Sequence, residues 1–261
     1  HTGRALLKAI SRTALVYVID RRSTLRSWLR LGRSRPYPPY EVQSFTHVLR
    51  VASFTFNPFQ ENTFVVHDGR EAIVIDPGCW NGEEEHELEE YLTGNALTPV
   101  RLVLTHSHID HVLGCAWMHK RYQLRPELHK ADIVVFDRVE DMAHIYGLHC
   151  DPPPEPAGYL TEGEVVTLGG HSLRVRFVPG HSPGHIALHS AKENFVIAGD
   201  VLFNRSIGRT DLPGADHATL EKSIREKLYS LNDITTVYCG HGPSTTIGDE
   251  KRHNPFVRPL R

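Results

Sequence analysis

No apolar run in this chain approaches the roughly 20 residues needed to span a bilayer, so an integral membrane protein is not expected. Cysteine is scarce: Cys79, Cys115, Cys150 and Cys239 are the four, and no two form a Cys-x-x-Cys pair. That spacing excludes a zinc-finger pattern and a dense disulfide framework, and it fits reduced thiols in a cytoplasmic protein. A basic surplus is lacking as well. The net charge is −2, and nine of the Lys and Arg residues lie in residues 1–45, against only Asp20 and Glu41 there. The remainder carries twenty basic and twenty-nine acidic residues. Such a body has little with which to grip a polyanion, so nucleic acid is not expected as a partner and a small molecule is. Histidine, by contrast, is abundant, at eighteen residues.

The chain divides by composition. Residues 1–45 are rich in Arg, Leu and Ser, and Arg33 to Tyr40 reads as an extended, Pro-rich linker. The composition suits a transit peptide or a basic arm, but the segment is expected to lie outside the working fold, as an upstream remnant. The chain begins with His1 and its first methionine is Met118. Residues 46–261 are expected to form one domain.

Within that domain, short β-branched or aromatic runs stop abruptly at a polar residue or a glycine turn. Ala72 to Gly78, Arg101 to His106, Leu173 to His181, Phe195 to Asp200 and Thr236 to His241 are five such runs. Each reads as a buried strand that presents a side chain at its C-terminal end. Asn62 to Gly69 reads as part of a hairpin. Glu83 to Leu92, Val112 to Tyr122 and His217 to Leu231 read as helices, the last with Leu220, Ile224, Leu228 and Leu231 at helical spacing. Strands alternating with helices predict an α/β layered domain.

The chemistry lies first in His106-Ser107-His108-Ile109-Asp110-His111, between a strand and a helix. Histidines at i and i+2 of an extended turn can face one metal, while Asp110 and His111 face a second. Imidazole and carboxylate suit zinc, iron or manganese. A run of surface polar residues would not explain its company. His181, Asp200 and His241 each stand at a strand end, directly after Gly180, Gly199 and Gly240.

With these residues in view, the stretch from about residue 48 to 261 resembles hydrolases of the metallo-β-lactamase fold, of the glyoxalase II type (hydroxyacylglutathione hydrolase). Thr105 to His111, Pro179-Gly-His-Ser-Pro-Gly184, Gly199-Asp200 and Gly240-His241 carry the resemblance. Gly208-Arg-Thr-Asp-Leu-Pro-Gly214 and the tail from Gly240 through Asn254-Pro255 are similar to the short bacterial form. In that form the segment resembling Leu49 to Asn62 lies near the start of the protein, which implies a natural start near Val48. The resemblance implies a four-layer αβ/βα sandwich and two divalent ions, zinc first, with iron or manganese as alternatives. It implies His106, His108 and His181 on one ion, Asp110, His111 and His241 on the other, and Asp200 as the bridge. It also implies that Asp76 orients a ligand imidazole and that Arg209 contacts the glutathione moiety. Asp76 also reads as a turn residue before Pro77-Gly78, and Arg209 as a salt-bridging loop arginine.

Full-length glyoxalase II continues into a helical domain that completes glutathione binding, whereas twenty residues follow His241 here. There is no cysteine at Asp200, and His111 rather than arginine follows Asp110; both count against β-lactam hydrolysis. The implied reaction is attack of a metal-activated hydroxide, held by Asp110, on an acyl carbonyl. A leaving thiolate, from a thiol of pKa about 8.5, needs little acid assistance, which favours a thioester such as S-D-lactoylglutathione. The alternatives are a lactone or ester hydrolase of the same superfamily and a single-iron persulfide dioxygenase.

Overall fold

The computed structural model describes residues 48–259. The basic segment 1–45 lies outside the described residues, and so does the reading of it as an extension.

Two six-stranded sheets are present among the described residues. In the first, β1 (Arg50–Phe56), β2 (Glu61–His67) and β3 (Glu71–Ile75) form an antiparallel meander. β4 (Thr98–Val103), β5 (Pro126–Leu128) and β6 (Gly158–Tyr159) then add in parallel. The intervening chain forms α1 (Gly82–Gly94), α2 (Cys115–Tyr122), α3 (Ile133–Phe136) and α4 (Val139–Tyr146). α1 starts where Asn81 accepts from the backbone N–H groups of Glu83 and Glu84, with three glutamates in its positively poled first turn.

The second sheet follows along the chain. β7 (Val165–Leu168), β8 (His171–Phe177), β9 (Ile186–Ser190) and β10 (Phe195–Gly199) pair antiparallel in succession. A small hairpin of β11 (Leu202–Phe203) and β12 (Ser206–Ile207) precedes α5 (His217–Ser223). β13 (Thr236–Cys239) then joins β10 in parallel, with β14 (Thr245–Thr246) at its other side and α6 (Ile247–His253) after it.

Strand alternation sorts the apolar side chains into three cores, and three cores require four layers. On the first sheet, Val65 and Val74 face Leu88, Leu92 and Met118 of the helices. Phe64, Val66, Ile73 and Ile75 face the other way, against Val175, Ile186, Leu188 and Ile197 of the second sheet. Val196 and Ala198 then face Leu220, Ile224 and Leu228. The expected αβ/βα sandwich is the observed architecture.

This topology also places the site. β3, β4, β10 and β13 run in parallel pairs, so the chain leaves all four at the same kind of end. The residues that follow them are Asp76, Thr105 and His106, Asp200, and Gly240 and His241.

Candidate metal centre

His106 and His108 lie in the short loop beyond β4, where His108 is extended. Both imidazoles reach the same basin, with ring centroids 4.8 Å apart. A 3-10 turn, Ile109–His111, follows and swings Asp110 and His111 toward the same basin. His181 comes from the loop after β8, which Asp132 clamps: its Oδ1 accepts from the Ser182 hydroxyl and, at 2.8 Å, from the Gly184 N–H. Two glycines are required for different reasons. Gly199 has φ +50°, and a Cβ there would lie 2.4 Å from Thr105 Oγ1. Gly240 is needed for closeness rather than for a turn, because a Cβ would lie 2.1 Å from Asp200 Oδ1.

All seven sequence-predicted ligands meet. Donor atoms of His106, His108 and His181 lie within 4.8 Å of one another, and so do those of Asp110, His111 and His241. Asp200 stands between the groups. Its Oδ2 is 3.5 Å from His181 Nε2 and 3.4 Å from His241 Nε2, and its Oδ1 is 3.5 Å from His111 Nε2. Asp110 Oδ2 lies 3.1 Å from His241 Nε2 and 3.6 Å from His111 Nε2.

The outer atoms of the rings are already engaged. His181 Nδ1 donates to the Arg209 carbonyl at 2.8 Å, and His241 Nδ1 to the carbonyls of Phe59 and Gln60, each at 3.1 Å. Asp76 lies 3.1 Å from His111 Nδ1 and accepts from the Thr105 N–H and hydroxyl, both at 2.6 Å. With its proton committed to Asp76, the Thr105 oxygen is left to accept from His106 Nδ1 at 3.1 Å. In each ring the engaged atom is Nδ1, which turns Nε2 toward the basin, where His181 Nε2 lies 2.8 Å from His108 Nδ1. Asp76, His106 and His111 also form a tight triad of potential ligand atoms. Asp76 is fully engaged with its three donors, so that triad supports the basin and is not a separate site.

The basin fits divalent cations on its own chemistry. His106 Nε2, His111 Nε2 and Asp200 Oδ1 are buried without a hydrogen-bond partner, an arrangement that costs free energy unless something else answers them. Burial holds His106 well below the usual imidazole range and takes His108 down to about 3, so both rings are neutral lone-pair donors. Burial acts the same way on His111 and His241. There Asp110 and Asp200 outweigh it, raising His111 well up and His241 to about 10. Two buried carboxylates thus demand positive charge at this point.

Several contributors were not legible as site residues. Glu61 is fully buried, 3.7 Å from His111 Nδ1, and burial raises its carboxyl well above the usual range. Asn57 binds the carbonyls of Gly78 and Asp110 through its amide. His185 stacks on His106 with centroids 4.6 Å apart and accepts from the Asp200 N–H at 3.0 Å. Glu61 had a signal, an acid opening a strand whose centre, Phe64-Val65-Val66, is apolar. His185 had one too, a second histidine four residues after His181.

Arg209 lies where a cavity of about 560 Å³ opens above the basin. Its guanidinium makes a two-pronged pair with Asp211, at 2.6 and 2.7 Å, so its charge is already answered in this structure. The segment from Arg121 to Glu164 contributes a wall of that cavity through Val135, Val139, Met142 and Tyr146 of α3 and α4. The four cysteines are free, and no described helix is long and apolar enough to cross a membrane.

Known proteins share this arrangement of sequence. Hydroxyacylglutathione hydrolase GloC of Haemophilus influenzae is 38% identical over 204 residues, covering 76% of this chain and 93% of that protein. The crystal structure of TTHA1623 in a di-iron-bound form is 39% identical, with a TM-score of 0.70 over 79% of this chain and 100% of that one. That of BLEG-1 B3 metallo-beta-lactamase is 34% identical, with a TM-score of 0.73 over 80% of this chain and 99% of that one. The model of the metallo-beta-lactamase superfamily matches residues 56–241, from the end of β1 to the last histidine of the basin. The chain belongs to the metallo-β-lactamase superfamily and, within it, to the metal-dependent hydrolases.

Proposed function

We propose that the chain hydrolyses a thioester, in the manner of a hydroxyacylglutathione hydrolase. The observation that carries this reading is the pair of three-residue groups with Asp200 between them, on the floor of an open cavity. His106, His108 and His181 would hold one divalent cation, and Asp110, His111 and His241 a second, with Asp200 shared. The donors are imidazole and carboxylate without thiolate, which suits zinc, iron or manganese. When bound, such cations supply a water of lowered pKa and stabilise the acyl oxygen as it gains charge.

The residues of the chain do the rest. Asp110 lies at the cavity floor with Oδ2 held by His241, and it accepts the proton of the attacking water. The water oxygen bonds to the acyl carbon, the C–S bond breaks, and its electron pair leaves on sulfur. The proton ends on the thiolate, giving a carboxylic acid and a thiol. A thiolate of pKa about 8.5 leaves without help, whereas an amine would need a positioned acid. Arg209 fixes His181 through its carbonyl and brings its paired guanidinium to the cavity rim.

GloC, by its name, supports glutathione as the thiol carrier. The di-iron form of TTHA1623 supports iron beside zinc. The name of BLEG-1 keeps β-lactams among the substrates to be tried, despite His111 and the lack of a cysteine at Asp200. The test is metal analysis together with turnover of S-D-lactoylglutathione, simple acyl thioesters, a lactone and a β-lactam. The expected result is two metals per chain and fastest turnover of a thioester. A metal-replete sample that cleaves no thioester removes the reading. One iron per chain with oxygen uptake on a persulfide replaces it by the dioxygenase.

A further inference from the structure

The cavity above the basin has a chemical character that the metal-ligating residues do not set. Its wall from α3 and α4 is apolar, and Val135, Val139, Met142 and Tyr146 recur on it at helical spacing. Much of that apolar surface is left in solvent: Val134 is 64% exposed and Tyr146 45%. Two cations line the same cavity, Arg138 and Arg209. Arg209 is paired with Asp211. Arg138, at the start of α4, has no carboxylate partner among the described residues. The carboxylates lining the cavity are Asp110 and Asp200, and both belong to the basin floor.

We propose that this wall is a subsite for an organic monoanion with an apolar body. The body packs on Val135, Val139 and Met142, and Arg138 binds the anionic group. The inference rests on the cavity being the substrate site of the proposed hydrolase. Charge balance supports it. A substrate with one negative charge finds one unanswered cation. The apolar wall adds affinity in proportion to the area it covers, and a guanidinium gives an anion directed, charge-assisted hydrogen bonds.

The test uses linear alkanesulfonates from butane- to octanesulfonate, since a sulfonate is a weak metal ligand. Binding to the metal-loaded protein is measured by calorimetry. Affinity is expected to rise about fourfold per added methylene while the chain still finds wall to cover. R138A is expected to weaken every homologue by about tenfold at low salt, and R138K to recover part of that loss. Added salt should narrow the gap between wild type and R138A, because the cation is solvent-exposed. Affinity that ignores chain length overturns the apolar subsite, and affinity unchanged in R138A overturns the role of Arg138. Thioester turnover by the wild type is scored separately. A protein that binds sulfonates in this pattern but cleaves no thioester keeps the subsite and loses the hydrolase reading. One that cleaves thioesters while sulfonate binding ignores Arg138 does the opposite.

Discussion

Asp76 shows how one side chain that touches no substrate can set the basin. It sits at φ +51°, a conformation that aspartate tolerates better than most residues. Its two oxygens serve the Thr105 N–H, the Thr105 hydroxyl and His111 Nδ1, and through Thr105 they reach His106. Two of the predicted ligand imidazoles therefore take their ring orientation from one carboxylate. An amide at this position keeps the size but replaces an acceptor oxygen with a donor, which then opposes Thr105 or His111. The expected outcome for D76N is a loss of metal affinity of about 10- to 100-fold, the range typical of groups that orient metal-bound histidines. Competition with a chromophoric chelator measures it. Wild-type affinity in D76N would mean that packing alone, including the stacked His185, holds the rings in place.

At the scale of elements, the turn between β9 and β10 is held by charge. Glu193 accepts from the Ser190 hydroxyl and lies 2.8 Å from Nδ1 of His171 on β8. Burial alone would raise its carboxyl, but these hydrogen bonds outweigh it and lower the pKa from 4.5. A depressed carboxylate contributes stability above its unfolded pKa and loses it as pH falls through the folded one. E193Q is therefore expected to be less stable than wild type by about 1 kcal/mol at pH 7. The difference should shrink once the pH drops below about 4.5. Urea titrations from pH 7 to 3 read this directly, and a constant difference would place the effect in packing. Elements such as β10 and β13 were legible because a buried parallel strand is a continuous apolar run that ends sharply. β5 and β6 were not, being three and two residues long with no period to detect. The helix read from His217 to Leu231 keeps its buried face, but α5 ends at Ser223 and the chain continues as a π-turn, Ile224–Leu228. The helix read from Val112 begins only at Cys115, because the 3-10 turn carrying Asp110 and His111 comes first. The ligands were legible because metal chemistry admits few residue types. Glu61, Thr105, Asp132 and His185 were not, because they act through contacts that exist only after the sheets pack.

Taken whole, the molecule closes its sandwich at the edge where the basin lies. Protein contacts already join the sheets there. The Asn62 N–H donates to the Gly240 carbonyl at 2.7 Å, and the Asn62 amide to the carbonyls of Cys239 and Gly242 at 2.9 and 2.8 Å. Each three-residue group also spans both sheets. His106 and His108 follow β4 of the first sheet, and His181 follows β8 of the second. Asp110 and His111 come from the first, and His241 follows β13 of the second. Cations held there would link the layers and answer the charge of Asp110 and Asp200, stabilising the folded chain over the unfolded one. At a free metal concentration a thousandfold above Kd, each site contributes about 4 kcal/mol, provided the unfolded chain binds weakly. For a domain of this size, 1 kcal/mol corresponds to about 2–4 °C in Tm. Calorimetric scans of chelator-stripped and reloaded protein should therefore differ by at least about 8 °C per occupied site. H181A should remove one increment and H241A the other, each with the matching loss in bound metal. A single increment, lost in H181A and kept in H241A, would mean one metal and favour the dioxygenase reading. Equal melting of stripped and fully loaded protein would mean that protein contacts, those of Asn62 and His241 among them, hold this edge, and that the cations serve chemistry without serving the fold.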